Sequence, residues 1–422
     1  MVNLELYRIF KIVADEENLT KASEILHISQ PAVTKHIKNL ENELNVELFK
    51  RSKYGMILNE NGKKLYLQIK DSINILNKAE LLFNESRDIN LGSHINMLSR
   101  LFSKAISKYY KEIKIIWHGG EPLLIGEEFF CSAYNIFDEY TSKYDMRFKF
   151  GIQTNGVLLN DELIKLFEKT KTHISISFDG IYNDVLRQKT REVKSVIKKL
   201  KKNGIDFSCM STVSAININH MKEMYEYFKD LSVSVKFNPI YPDGVAKQNE
   251  SLLITKEEWT SRYIDLFEYW FYDVNCNISF LTCIDMLKKY LNSYFGCLGA
   301  TCLYRYLATD SYGNIYPCGR LICDDYKFIN IEEINDIREV YMSKKYVELL
   351  NDSIARIANC KQCRWVSRCH SGCNASAYVG GNILKPYSFD CYFTKQLFNK
   401  IDKLLVNSNN KAINRYAKEL IG

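Results

Sequence analysis

Eight of the thirteen cysteines fall in a spacing that dictates what the C-terminal part of this chain can become. Cys297-x4-Cys302-x15-Cys318 comes first, with Gly313 separated from Cys318 by four residues. Cys360-x2-Cys363-x5-Cys369-x3-Cys373 follows, and a lone Cys391 closes the set. A cubane iron–sulfur cluster takes four thiolates, so eight cysteines suffice for two.

Composition limits the setting. With 422 residues, 46% hydrophobic and 25% charged, the chain has room for two or three globular domains. No apolar run approaches the roughly 18–20 residues needed to cross a bilayer, so no membrane contact is expected. The opening MVNLELYRIFKIVADEEN places acidic residues directly after its apolar stretch, which is unlike a signal peptide. The expected location is therefore cytoplasmic. In a reducing compartment clustered thiols mean metal more often than disulfides. The net charge of +7 does not by itself argue for nucleic acid. Residues 1–84 carry 12 Lys+Arg against 11 Asp+Glu, so the placement of charge must carry any such case.

That placement is suggestive at the N-terminus. Leu6, Ile9, Phe10 and Val13 lie at helical spacing over residues 4–14. A second helix is expected from Thr20, as N-cap, through Ala22, Ile25 and Leu26, with His27-Ile28 as a tight turn. Ser29 then caps a third helix whose second position is Pro31, tolerated there because a first-turn residue has no intrahelical N–H bond to lose. Val33, Ile37 and Leu40 form its buried stripe, and Gln30, Thr34, Lys35 and Lys38 its other face. Small polar groups at such an N-terminus can reach base edges while lysines meet phosphates. Lys50–Gly55, with Arg51 and Lys53, reads as a basic hairpin tip suited to the DNA backbone. By spacing alone, a three-helix core with a solvated basic loop fits equally well.

From residue 93 the pattern alternates between helix and strand. Ile113–Trp117, Phe148–Gln153, Ile174–Phe178, Phe207–Val213 and Val233–Phe237 read as strands, separated by helical segments such as Ile125–Tyr140, Asp161–Lys169 and Asn217–Lys229. The fold class is α/β multidomain, with a parallel sheet forming a barrel or part of one. Three motifs follow three successive strands: His118-Gly119-Gly120-Glu121-Pro122, Gln153-Thr154-Asn155-Gly156 and Ser177-Phe178-Asp179-Gly180. Strand ends of this kind gather ligands, the glycines permit close backbone approach, and Glu121 can accept from an ammonium group.

Two resemblances sharpen these readings. SQPAVTKHIKNLENELNVELFKR closely resembles the LysR-type regulator family, over residues 2–84. The resemblance implies a winged helix-turn-helix over 1–58 that binds double-stranded DNA through Ser29, Gln30, Pro31, Thr34, Lys35, Lys38, Arg51 and Lys53. It also implies a linker helix over 59–92, from about Gly62 to Phe83, that pairs two subunits. Leu65, Ile69, Ile73 and Leu76 stripe that helix, and intrachain packing is the alternative use for the stripe.

The body resembles the radical SAM superfamily, in the peptide-modifying branch with a C-terminal SPASM domain that includes anaerobic sulfatase-maturating enzymes. The resemblance implies a radical SAM barrel over 93–290, a SPASM domain over 291–395 and a C-terminal helix over 396–422. It implies that Gly119, Gly120 and Glu121 hold the amino group of S-adenosylmethionine, with Ser177 and Arg187 at the same site. It further implies one auxiliary 4Fe-4S cluster on Cys297, Cys302, Cys318 and Cys373, and a second on Cys360, Cys363, Cys369 and Cys391. Cys131, Cys209, Cys276, Cys283 and Cys323 have no place in that signature and are expected to behave as buried hydrophobes.

Two departures qualify this resemblance. The family's Cys-x3-Cys-x2-Cys loop, which holds the cluster that cleaves S-adenosylmethionine, is missing: the first cysteine is Cys131. Residues 93–110 resemble the family's first barrel helix, so the first strand and its loop are replaced by LysR-type sequence joined at about 85–92. Cys369-x3-Cys373 cannot supply that loop, since Ser376 stands where its third Cys would be; and Gly319 stands where sulfatase-maturating relatives carry an Asp proton acceptor. Three readings follow: a DNA-binding regulator with a body that does not cleave S-adenosylmethionine, a peptide- or protein-modifying enzyme whose cluster loop comes from another chain, and a non-functional gene-rearrangement chimera.

Overall fold

The computed structural model describes residues 4–26, 28–52, 55–69, 110–242, 246–247, 249–291 and 299–407. The chain divides into two compact units, Met1–Asn90 and Leu91–Gly422.

In the first unit, α1 (Leu4–Glu16), α2 (Leu19–Leu26) and α3 (Gln30–Leu44) precede an antiparallel hairpin of β1 (Phe49–Ser52) and β2 (Gly55–Leu58). Leu6, Ile9, Phe10 and Val13 of α1 meet Ala22, Val33, Ile37 and Leu40 in one core, with Leu48, Phe49 and Met56 from the wing. Asn18 caps α2, its Oδ1 accepting from the Thr20 and Lys21 amides at 2.9 and 3.1 Å. Thr20, expected as that cap, therefore lies inside the first turn, because Asn18 reaches the orphan amides from one residue before the helix. Ile25 is half exposed at 50%. Asn45 ends α3 in the left-handed region, which Asn tolerates. Residues 60–69 continue as helix, and Leu65, Tyr66 and Ile69 lean on this unit's own core. Ile73 and Leu76, like His27 and Lys53, lie outside the described residues.

The second unit is built on a five-stranded parallel sheet: β3 (Glu112–Trp117), β4 (Arg147–Thr154), β5 (His173–Ser177), β6 (Phe207–Val213) and β7 (Ser234–Pro239). Strand order follows chain order, β3-β4-β5-β6-β7. All four pairings are parallel, so each connection must cross over, and the helices Glu127–Tyr144, Asp161–Lys169, Thr190–Lys202 and Met221–Asp230 make those crossovers. In β5 the period-2 pattern is clear: Ile174 and Ile176 are buried while Ser175 and Ser177 face the other side and stay partly open. Among the described residues β3 pairs only with β4, and a single parallel bridge from Val235 to Phe280 extends the sheet beyond β7.

Some helix starts differ from expectation. The helix expected from Ile125 begins at Glu127, because Pro122–Ile125 forms a tight 3-10 turn capped by Glu121, and it runs on to Tyr144. The helix expected over 396–422 begins at Ser388, two residues after Pro386, and is described to Asn407, so Cys391 sits in its first turn. Its Leu397, Phe398, Ile401 and Leu404 are buried, and Phe393 meets Tyr263 of the helix Lys256–Tyr272 at 4.6 Å.

The cysteine-rich part folds around a small antiparallel sheet in the order β10-β9-β8: β8 (Ala308–Thr309), β9 (Asn314–Tyr316) and β10 (Ile329–Asn330). Gly313 takes φ +79° in its turn, and a Cβ there would come 2.6 Å from Ile331, so this turn requires glycine. Cys209 and Cys283 are core residues, whereas Cys131, Cys276 and Cys323 are only partly buried. Among the described residues no helix is long and apolar enough to cross a membrane.

Phe137 is 1% exposed and meets Phe148 and Phe150 at 4.9 and 5.0 Å, locking the first crossover helix onto β4. Phe137→Ala should cost about 3–5 kcal/mol in a urea titration, through lost transfer energy and a cavity that stiff neighbours cannot close.

Candidate functional site

The loops after β3, β4 and β5 converge at one edge of the sheet. Glu121 sits in the first of them, and both its carboxylate oxygens are engaged. Oε1 accepts from the Thr154 hydroxyl at 2.6 Å and the Leu123 amide at 3.2 Å. Oε2 accepts from the Asn155 amide at 2.8 Å, which ties the β3 loop to the β4 loop. Gly119 takes φ +137°, and a Cβ on Gly119 or Gly120 would meet nothing within 4 Å. Space for a ligand is therefore open beside both glycines.

Gln153, at the end of β4, donates to Ser177 Oγ at the end of β5 at 2.9 Å. Arg187 donates through Nε to Asp179 at 2.8 Å and through its terminal nitrogen to Thr212 Oγ1 at 3.0 Å. Asp179 is fully buried, and its other oxygen accepts from the Thr212 amide at 2.6 Å. Burial pushes the Asp179 carboxyl above its ordinary value, and Arg187, the Thr212 amide and Ser211 pull it back. Glu121, Ser177 and Arg187 line one cleft of about 350 Å³, with Asn155, Asn183 and Lys189. Asp179 and Thr212 organise this site yet carry no local signal that singles them out. Asp179 stands in a turn motif that is usually only a turn, and Thr212 lies 33 residues away on another strand.

The donor set fits S-adenosylmethionine in kind: the cleft offers a carboxylate for an ammonium group together with hydroxyl and guanidinium groups, and Gly119 and Gly120 precede Glu121 in the same loop. A thiolate set for a third cluster is not supplied. Residues 1–130 contain no cysteine, and Cys131 stands alone on the helix Glu127–Tyr144.

The two thiol sets lie in the cysteine-rich part. Burial pushes the Cys369 thiol up to about 11, with Cys391, Cys360 and Cys363 adding to it against Lys289. Burial likewise raises Cys360, and Cys391 and Cys363 raise it further. Cys360, Cys363, Cys369 and Cys391 thus share one neighbourhood. In the other set, Cys318 is raised by burial and then by Cys373, against amides of Arg320 and Leu321 that lower it. Cys302 is 5% exposed and accepts from Asn374 Nδ2 at 3.6 Å. Cys297 lies outside the described residues. Among the described residues no three His, Cys, Asp or Glu side chains converge on a single metal-ion position, and no cysteine is in a disulfide. Four cysteines per set match the ligand count of a cubane cluster.

Beside Cys373 lies a polar group of residues. Arg320 stacks over the Tyr241 ring at 4.6 Å and donates to Ser376 at 3.4 Å, and Tyr241 donates to Asp390 at 3.1 Å. Burial raises the Asp390 carboxyl, and Ser376, Tyr241 and Arg320 oppose this. Gly319 borders open space, with nothing within 4 Å of a Cβ placed there.

In the N-terminal unit, Ser29 Oγ accepts from the Ala32 amide at 3.4 Å and Pro31 fills the first turn of α3. Ser29, Gln30, Pro31, Lys35 and Lys38 are exposed, and Thr34 is half-buried with its hydroxyl donating to Gln30 O at 3.1 Å. Arg51 lies in β1, at the wing.

Comparison with known proteins places these observations. Residues 4–63 match the family described as bacterial regulatory helix-turn-helix protein, lysR family. Residues 99–228 match the radical SAM superfamily. The cysteine-type anaerobic sulfatase-maturating enzyme of Clostridium novyi is 24% identical over 293 residues, covering 66% of this chain and 78% of that protein. Its counterpart from Clostridium perfringens is 24% identical over 333 residues, covering 74% and 88%. The solved structure of native anSMEcpe with bound AdoMet superposes with a TM-score of 0.64 at 23% identity, over 75% of this chain and 89% of that one, which establishes the body's fold. The chain therefore joins a helix-turn-helix of the lysR family to a radical SAM superfamily body whose homologues include anaerobic sulfatase-maturating enzymes.

Proposed function

We propose that this protein is a cytoplasmic DNA-binding regulator whose body carries two auxiliary 4Fe-4S clusters and an S-adenosylmethionine-type cleft but does not by itself cleave that ligand. One observation carries the reading: a capped recognition helix with an exposed polar face is joined to a body that lacks thiolates for the cleaving cluster. The assignment divides the chain into head (1–58), linker (59–92), partial barrel (93–290), SPASM domain (291–395) and C-terminal helix (396–422). In this reading Gln30, Ser29 and Thr34 meet base edges or phosphates at the N-terminus of α3, while Lys35, Lys38, Arg51 and Lys53 meet phosphates. Two copies pair through the linker helix, whose described part also leans on its own head through Leu65 and Ile69. Cluster oxidation or loss, or occupancy of the cleft, alters the pair's geometry on a two-fold operator.

DNA-binding is tested by electrophoretic shift at ~100 mM salt, where non-specific contacts weaken. Gln30→Ala should cost about 1–3 kcal/mol and relax sequence preference, whereas Lys38→Ala should weaken binding evenly and lower the salt slope by about 1. No sequence-preferring binding by the intact protein would sink the regulator reading.

A second reading is favoured by the preserved cleft: a peptide- or protein-modifying enzyme completed by another chain. Glu121, Ser177 and Arg187 still share one cavity, and the sulfatase-maturating neighbour has also been solved with bound AdoMet and a Cp18Cys peptide. Anaerobic reconstitution separates the two. The proposed regulator should bind about eight irons per chain, take up S-adenosylmethionine in calorimetry and release no 5′-deoxyadenosine under strong reductant. Glu121→Gln should weaken that binding about tenfold to a hundredfold, the worth of a charge-assisted hydrogen bond. Release of 5′-deoxyadenosine by the chain alone would overturn the first reading, and release only beside a partner would establish the second.

A further inference from the structure

Arg356 is the most unusual charge in the body. It lies one turn before the end of the helix Lys344–Asn359, and its exposure is 0%. Lys, Arg, Asp and Glu are almost never fully buried unless paired. Yet every partner of this guanidinium is neutral. Nε donates to Ser371 Oγ at 3.3 Å, one terminal nitrogen donates to Ile383 O at 2.7 Å, and the other donates to Asn374 Oδ1. Among the described residues no carboxylate lies within ion-pair distance of it. A buried cation served only by neutral acceptors keeps most of its desolvation cost.

The placement of those partners is specific. Ser371 and Asn374 flank Cys373, and Asn374 also accepts from Ser353 at 2.8 Å and donates to Cys302 at 3.6 Å. The segment from Cys369 to Cys373 belongs to both thiol sets, one cysteine to each. Its three intervening residues, His370, Ser371 and Gly372, all take positive φ: +49°, +62° and +81°. Two consecutive non-glycine residues in that region are costly and persist only when their surroundings over-determine them. The Arg356–Ser371 bond is one of the contacts that hold them. Burial lowers the affinity of Arg356 for the proton, and Cys373, Cys302 and Cys360, then Asp352 of its own helix, act against that.

We infer that Arg356 is the shared counter-cation of the two thiolate sets, a positioning residue that fixes the Cys369–Cys373 segment between them and sets the charge balance of both clusters. This rests on the reading that the sets hold clusters. A cubane with four thiolates is a buried anion, and two of them around one guanidinium supply the negative charge that its neutral partners lack. The helix C-terminus adds a smaller negative contribution.

The consequence is a reversal of sign between the loaded and cluster-free protein. With clusters in place, Arg356→Met removes a favourable charge: melting temperature should fall by several degrees, and both cluster potentials should move negative because reduction adds an electron beside a missing cation. After chelation Arg356 becomes an uncompensated buried charge, so Arg356→Met should melt at or above the wild type. Arg356→Lys keeps the charge and should stay near wild-type potentials. Arg338→Met, at a surface arginine paired with Asp336, should move neither quantity.

The measurements are iron and sulfide content, melting in both states, and an anaerobic redox titration followed by electron paramagnetic resonance. Wild-type protein with near-zero iron after anaerobic reconstitution would overturn the cluster reading and this inference with it. Eight irons in both wild type and Arg356→Met, with unchanged potentials, would overturn the inference alone. Equal potential shifts in Arg356→Lys and Arg356→Met would also overturn it, by assigning the effect to hydrogen-bond geometry. If Arg356→Met does not load clusters, the chelated melting comparison decides: a variant less stable than wild type there overturns the counter-cation role.

Discussion

An in-order parallel ladder governs the body. Because neighbouring strands are also sequence neighbours and all run the same way, every crossover returns the chain to the same edge. The C-terminal ends of β3, β4, β5 and β6 therefore lie side by side, and side chains stitch them laterally. Glu121 joins the first loop to the second, Gln153 joins β4 to β5, and Asp179 joins the β5 loop to β6. Arg187 is held over that last junction by the same carboxylate. The cleft is a product of the ladder first and of its polar residues second.

This explains what could be read from the sequence. All five strands were legible, since each is a short apolar or alternating run bounded by turn residues. Helix Asp161–Lys169 was legible too, behind Asn160, whose Oδ1 caps it at Leu163 N. Boundaries failed where two local signals competed. Asn18 and Thr20 are both good caps, and only the fold decides which amide each can reach. Pro122 suits the start of either a 3-10 turn or a helix. The C-terminal helix, expected from residue 396, starts earlier at Ser388 and so takes in Cys391. Arg356 could not be found at all: an arginine on an amphipathic helix reads as surface, and its burial comes from a loop fifteen residues on.

The head follows a different logic. Its core is separate and is completed by residues of the wing, Phe49 and Met56, with ring contact between Phe10 and Phe49 at 5.3 Å. This core orders α3 with residues of its own unit. Its near-neutral balance also means that the lysines of α3 act by position, against acidic residues elsewhere on the same unit.

The place of Cys391 bears on how the molecule is made. Its thiol belongs with Cys360, Cys363 and Cys369, but its backbone belongs to the helix that packs on Lys256–Tyr272 through Phe393, Leu397 and Phe398. During synthesis three of these thiols emerge well before the fourth, and the fourth is positioned only once its helix has docked. In the proposed reading, the ligand set of this cluster is complete only when that helix has docked on Lys256–Tyr272.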